Sequence, residues 1–389
     1  MPWRTANVRD QRARFVMEAQ DTLVSFTELC ERYGISRPTG YLWLKRYESG
    51  SLEELRDRSH RPFSSPNVTP AWMESEILKL RKKRRWGARK IWKVLRERHG
   101  WAPHVDTVHA VLKRCGMVVS PRPRRQRNHP GAPRATIERP NELWSADFKG
   151  HFRTGDGRVC HPLTLEDGYS RYLLACRGLR RSTIEATEPW FRAAFREYGL
   201  PERMRTDNGL PFAYVRSAGK LSKLSVWWVK LGIRPELIEP GKPQQNGRHE
   251  RMHRTLKAET TKPPSSSLSA QQARFNRFRK MYNEERPHDA LGLETPVSCY
   301  EPSPRTYPEG KLPPLTYPGH FEVRKVAGDK TIKWRDRKVF VSKLLMREYV
   351  GFEEVADGEW SVYFGCVHLG WFDERDYRIM DTRGPRRKR

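Results

Sequence analysis

The chain has 389 residues, with 75 Lys or Arg against 46 Asp or Glu, a formal net charge of +29. Such a field points to a polyanionic partner, nucleic acid before a membrane surface, and no apolar run is long enough to span a bilayer. The length predicts roughly two to four domains, and the six cysteines are scattered, with no CxxC pair and no clustered histidines, which argues against a zinc module or a disulfide framework and for reduced thiols in small cores inside a cell. The opening MPWRTANVRDQRARF lacks the apolar segment of a signal peptide. Helical periodicity runs through VRDQRARFVMEAQ, followed by SFTELCERYGISRPTGYLWLKRY. There Ser25 and Glu28 make a capping box, Gly34 ends one short helix, and Ser36 can cap the next, with Pro38 tolerated in its first turn. Two short helices about Gly34-Ile35, with the small Cys30 where they would touch, predict a helix-turn-helix domain over 1–60, and its DNA-facing candidates are Arg37, Thr39, Lys45 and Arg46.

A second, strongly basic helical block is expected over 61–118, with Thr69 and Thr107 as helix starts and Gly87 and Gly100 as punctuation. It reads either as a second DNA-binding unit or as a solvated basic helix pair. Residues 119–140, rich in Pro and Arg, predict an extended basic linker able to lie along phosphates.

From 141 to 300 the pattern changes. LWSADFKGHF, VCHPLTLEDGYS and YLLACRGL read as three strands of a meander. The following stretch STIEATEPWFRAAFREYG reads as a helix, which Pro189 is expected to kink or delay. Then MRTD and IRPELIEP read as strands around the helix SKLSVWWVKLG, and two further helices cover QQNGRHERMHRTLKAE and SAQQARFNRFRKMYNEERPH. Strands followed by alternating helices and strands predict a mixed sheet covered by helices. Residues 301–317 form a Pro-rich linker, the short runs over 318–380 predict a small β-barrel, and 381–389 are a basic tail.

Taken alone, RTDNGLPF at 205–212 is a turn, since Asn and Gly tolerate positive φ, or a carboxylate held at a strand tip. Its partners favour the second reading. Asp147 falls on the first strand, Asp207 at the tip of its expected parallel neighbour, and Glu250 on a helix packed beside them, with 42 residues between the last two. Three converging carboxylates repel one another unless cations neutralise them, and an oxygen-only set suits Mg²⁺ or Mn²⁺. Two such ions per site support in-line phosphoryl transfer. On the helix, Arg254 and Lys257 share a face with Glu250 and read as phosphate grips, or as one member of an ordinary surface pair. Glu259 points about 180° away from Glu250 and is a poor substitute.

WSADFKG around Asp147, LEDGYSRY at 165–172, RTDNGLPF around Asp207, PGKPQQNGRHERMHRTLK at 240–257 and YNEERPHDALGLETP at 282–296 together resemble the integrase catalytic core of DDE transposases, the insertion-sequence branch related to retroviral integrases. The resemblance implies an RNase H-like fold, Mg²⁺ dependence and DNA strand transfer, with Asp147, Asp207 and Glu250 in the three acidic positions and Asn208 beside the DNA. It also implies double-stranded DNA as partner (element ends and target), at least a dimer on DNA, and a bacterial cytoplasmic setting. The spacing of 42 residues between the second and third acids is longer than the family's usual gap, the excess lying in AYVRSAGKLSKLS. A non-enzymatic DNA-binding protein and a plain nuclease on the same fold stand as the alternatives.

Overall fold

The computed structural model describes residues 7–21, 24–48, 51–57, 68–118, 136–239 and 243–381. Most of the basic linker (119–135) and the tail beyond 381 lie outside the described residues. The chain forms two compact units, 1–70 and 71–389.

The first unit holds α1 (Val8–Glu18), α2 (Phe26–Arg32), α3 (Arg37–Tyr47) and a 3₁₀ turn at Leu52–Leu55. Ser25 Oγ accepts from Glu28 N at the start of α2. Gly34, at φ +63°, makes the turn into α3, where an L side chain would be strained. Ser36 occupies the N-cap position of α3 but does not cap it, because its hydroxyl pairs with Thr39 Oγ1 at 2.9 Å. Phe15, Val16, Leu29, Cys30 and Leu55 fill the small core. Gly40 lets α3 approach closely, since a Cβ there would lie 2.8 Å from Cys30 Sγ and 2.9 Å from Phe26 Cζ.

The second unit begins with α4 (Ala71–Arg84), α5 (Ala88–His99) and α6 (Val105–Arg114). His104, not Thr107, is the N-cap of α6. The mixed sheet follows: β1 (Leu143–Phe148), β2 (Phe152–Arg153), β3 (Val159–Asp167), β4 (Leu173–Leu179), β5 (Arg203–Thr206) and β6 (Arg234–Leu237). Strands β4, β3 and β1 run antiparallel in turn, and β1, β5 and β6 are parallel, with β2 pairing the start of β3. Covering helices are α7 (Ile184–Tyr198), α8 (Lys223–Lys230), α9 (Gly247–Thr260) and α10 (Leu268–Glu284). This mixed sheet flanked by helices resembles the RNase H-like fold expected for 141–300. Helix α7 starts at its Thr183 cap and runs through Pro189. Pro189 and Glu185 are both exposed, so the carbonyl that loses its N–H partner lies on the solvent-facing side of the helix.

One side of the sheet buries Trp144, Phe191, Phe195 and Trp228 against α7 and α8. On the other side Met252, Leu256, Phe278 and Met281 of α9 and α10 share a core with Met73, Ile77, Trp86 and Ile91 of the basic helical block. Ion pairs Lys93–Glu294 (2.6 Å), Lys90–Asp289 (3.4 Å) and Arg84–Glu285 rim that junction.

The C-terminal part corrects the sequence expectation, because it is not a barrel. Strands β7 (Glu322–Lys325), β10 (Tyr349–Ala356), β11 (Glu359–Phe364), β12 (Val367–Asp373) and β13 (Arg378–Met380) form an open antiparallel sheet, ordered β13-β12-β11-β10-β7. Strands β8 (Thr331–Trp334) and β9 (Arg337–Phe340) pair only with each other. Closure needs the two edge strands to meet. Here the β8–β9 hairpin forms no ladder with either edge strand, and it lays Trp334 on Phe352 (4.9 Å between ring centroids) and Phe372 (5.0 Å).

Candidate active site

Strand β1 is buried over its first four residues and half-buried at Asp147 and Phe148, which still pair with Thr164 and Leu163 of β3. Its parallel neighbour β5 pairs Ser145 with Arg205. Continuing that register by two residues sets Asp147 beside Asp207, which directly follows β5. Asp207 Oδ1 accepts from Gly209 N at 3.2 Å, so the Asp-Asn-Gly turn fixes the carboxylate it carries. Asn208 Nδ2 donates to Ile238 O at 2.8 Å, tying this turn to the end of β6, while its Oδ1 is buried without a partner.

Helix α9 brings the third acid. It buries His249, Met252, His253, Leu256 and Thr260 on one stripe and leaves Glu250, Arg254 and Lys257 exposed. Asn246, at its N-cap, makes no cap bond and places Nδ2 3.5 Å from Asp147 Oδ2. Asp147 senses the other two acids: burial first, then the charge of Asp207 and more weakly that of Glu250, push its carboxyl up to about 7. Burial also raises Asp207.

Beneath Asp147 lies a polar network that sequence reading missed. Thr164 of β3 donates to Asp147 O at 3.1 Å. With its one proton given there, its Oγ can only accept from His249 Nε2 and His253 Nε2, both at 2.7 Å. Ser145 then donates to His249 Nδ1 at 2.8 Å. His253 Nδ1 is left facing Asp147 Oδ2 at 3.6 Å. Two acceptors so placed call for a proton or a cation between them. Burial holds both imidazoles neutral, with His249 down to about 3 and His253 lower still. Asp147, His249 and His253 present ligand atoms within 4.8 Å of one another, a grouping that could hold a metal ion. Their i, i+4 spacing on α9 was a legible signal; Thr164, 85 and 89 positions away from the two histidines, was not.

Of the DNA-facing candidates on α3, Arg37 and Lys45 are exposed, Thr39 is half-buried in its bond to Ser36, and Arg46 stacks over Trp43 at 4.6 Å. Tyr41 and Leu42 are the large exposed residues of that helix. All six cysteines are free; Cys30, Cys160 and Cys176 are buried, whereas Cys115 and Cys366 are exposed. No helix among the described residues is long and apolar enough to cross a membrane.

Two family models described as integrase core domain match residues 137–243 and 231–296. A helix-turn-helix domain model matches 11–63, and a homeodomain-like domain model matches 39–112. An uncharacterized 31.7 kDa protein of insertion element IS407 from Burkholderia multivorans is 29% identical over 57% of this chain and 80% of its own length. An uncharacterized 39.2 kDa protein of insertion element IS476 from Xanthomonas euvesicatoria is 27% identical over 61% of this chain and 66% of its own. A solved HTLV-2 integrase catalytic core domain in complex with magnesium is 17% identical, covering 42% of this chain and 98% of that one at a TM-score of 0.34. The two integrase core domain matches together span residues 137–296, the stretch that carries Asp147, Asp207 and Glu250, and this part of the chain is similar to an integrase core domain.

Proposed function

We propose that the chain is a DDE transposase, which binds the ends of its mobile element and joins them to target DNA. The observation that supports this reading is that the charges of Asp207 and, more weakly, Glu250 reach the buried Asp147 carboxyl and raise it. Oxygen donors of this kind fit Mg²⁺ or Mn²⁺, and Asp147, Asp207 and Glu250 would hold two such ions. When bound, these neutralise the carboxylates and polarise the attacking and leaving oxygens of an in-line displacement. The chain's own part is placement. Asn246 Nδ2 lies against the Asp147 carboxyl, Gly209 N fixes Asp207, and α9 presents Glu250 to solvent, where a DNA strand can reach it. The attacking group is water in cleavage and a DNA 3′-hydroxyl in joining, so no covalent protein intermediate forms. Arg254 and Lys257 flank the acid as phosphate grips, with Asn208 beside the strand. The first helical unit selects the element ends through Arg37, Thr39, Lys45 and Arg46. Pairing two ends requires at least a dimer on DNA, and the setting is a bacterial cytoplasm, at the nucleoid.

The test is a strand-transfer assay with labelled candidate end DNA and Mg²⁺, comparing the intact chain with Glu250→Gln. Joining by the first and none by the second is expected, with DNA binding retained by both. Equal joining by both removes Glu250 from the chemistry. Selective binding without joining by either favours a DNA-binding protein with an idle catalytic fold.

A further inference from the structure

The described residues hold six buried side-chain polar atoms without a hydrogen-bond partner, and three of the residues that carry them, Glu166, Arg171 and His288, line a single recess of about 400 Å³. Unpaired buried polar groups are costly, so three around one space mark a place shaped for a polar occupant. Four stretches of chain build it: α5 contributes Lys90, the turn after β3 Arg171, α9 Arg248, Arg251 and Arg254, and the loop after α10 Arg286. Only two acids line the same space, Glu166 and Asp289. Asp289 is exposed and lies 3.4 Å from Lys90 Nζ. Glu166 is buried at 2% exposure, with Oε2 unpaired. Burial holds His288 neutral, down to about 3. Six cations thus line the recess against one exposed carboxylate, with the buried Glu166 and a neutral imidazole at the wall, and of the six Arg286 is also 3.6 Å from Glu259 outside it.

The occupant must be a compact anion offering several oxygens. Guanidinium groups converging from different elements match the geometry of a phosphate, which each can grip through paired N–H donors. The place of the recess on α9 selects the source. At 100° per residue Arg254 stands about 40° from Glu250 and about 60° from Arg251, so the exposed ridge of the helix runs from the acid into the recess without crossing its buried stripe.

We infer that this recess is a phosphate site that takes one backbone phosphodiester of a DNA strand engaged at the catalytic carboxylates, an inference that rests on the DNA-processing reading above. Because Lys90 comes from the basic helical block and Arg251 from the helix of the third acid, a phosphate seated there is held by both at once.

The test uses the full chain and a short labelled duplex, with binding measured by anisotropy over a range of KCl. Arg251→Gln/Arg286→Gln is expected to weaken binding similarly for all sequences and to make the slope of log K against log salt shallower by about 1, the loss of one phosphate contact. The paired Lys substitutions, Arg251→Lys/Arg286→Lys, are expected to restore the slope, which separates charge from folding. An unchanged slope in the Gln variant overturns the proposal. A second arm titrates DNA-free protein with inorganic phosphate and pyrophosphate; tight binding abolished by the Gln variant, with the DNA slope intact, assigns the recess to a free phosphate compound and also overturns it. Joining activity is read in parallel. A shifted slope in a chain that never joins DNA supports the recess while removing the transposase reading, and normal joining with an unshifted slope does the reverse.

Discussion

Replacing Glu166 by Gln probes the buried carboxyl in a way that stability alone can report. The side chain sits in β3 at 2% exposure, receives Tyr282 Oη at 3.3 Å, and is pushed by burial from 4.5 up to about 8, against the opposing pull of Arg171 and Arg248. Between those two values the folded chain holds a proton that the unfolded chain has released. Stability therefore falls as pH rises through this window, by about 1.4 kcal/mol per pH unit and on the order of 5 kcal/mol across it. Glutamine keeps the shape and the neutral state and cannot lose a proton, so the variant has no such slope. Wild type and variant are expected to match near pH 5 and to diverge steadily, with the variant the more stable by pH 8. Urea unfolding followed by the fluorescence of the buried Trp144 and Trp228, at one-unit steps from pH 5 to pH 8, measures this. Parallel pH profiles would refute the reasoning, because they would mean that Glu166 titrates alike in both states.

Two further perturbations address other parts of the fold. Thr164→Val keeps the shape but removes the oxygen that accepts from His249 and His253. A loss of about 1–3 kcal/mol for each orphaned donor is expected, and an unchanged urea midpoint would show that the imidazoles have other acceptors. Gly40→Ala places a methyl 2.8 Å from Cys30 Sγ and 2.9 Å from Phe26 Cζ. Overpacking at about 1–3 kcal/mol outweighs the gain of up to about 1 kcal/mol in helix propensity, so the first unit is expected to unfold at lower temperature; a rise in its melting temperature contradicts the close approach.

Much of the core was legible because its signals are local. Asp207 ends a strand with Asn and Gly, a chemistry that names a turn wherever it occurs, and the periodicity of α9 separates buried His249 and Leu256 from exposed Glu250 within a few turns. The paired strand that sets Asp147 beside Asp207 followed from alternating strands and helices. What stayed hidden depends on partners far along the chain. Ser36 stands where a capping serine should, yet the neighbouring Thr39 hydroxyl takes its bond. The sharing of Thr164 by two histidines cannot be read from the spacing of either. Barrel closure failed for the same reason: short strands and tight turns serve closed and open sheets alike, and only the pairing of the β8–β9 hairpin, with itself and not with β7 or β13, decides between them.

The unusually long stretch between the second and third acids has a mechanical meaning. Gly219 within it sits so close to β12 that a Cβ would fall 2.9 Å from Val367 Cγ1, and Leu221, Val226 and Val229 are buried in the same core as Val350, Phe364 and Leu369 of the C-terminal sheet. Lys230 of α8 adds an ion pair to Glu348 at 2.7 Å. The segment joining Asp207 to Glu250 is thus also the floor on which the last domain stands. Cutting the chain after residue 300 would not release a finished catalytic core; it would strip the lid from an apolar floor and loosen the span that sets one acid against another.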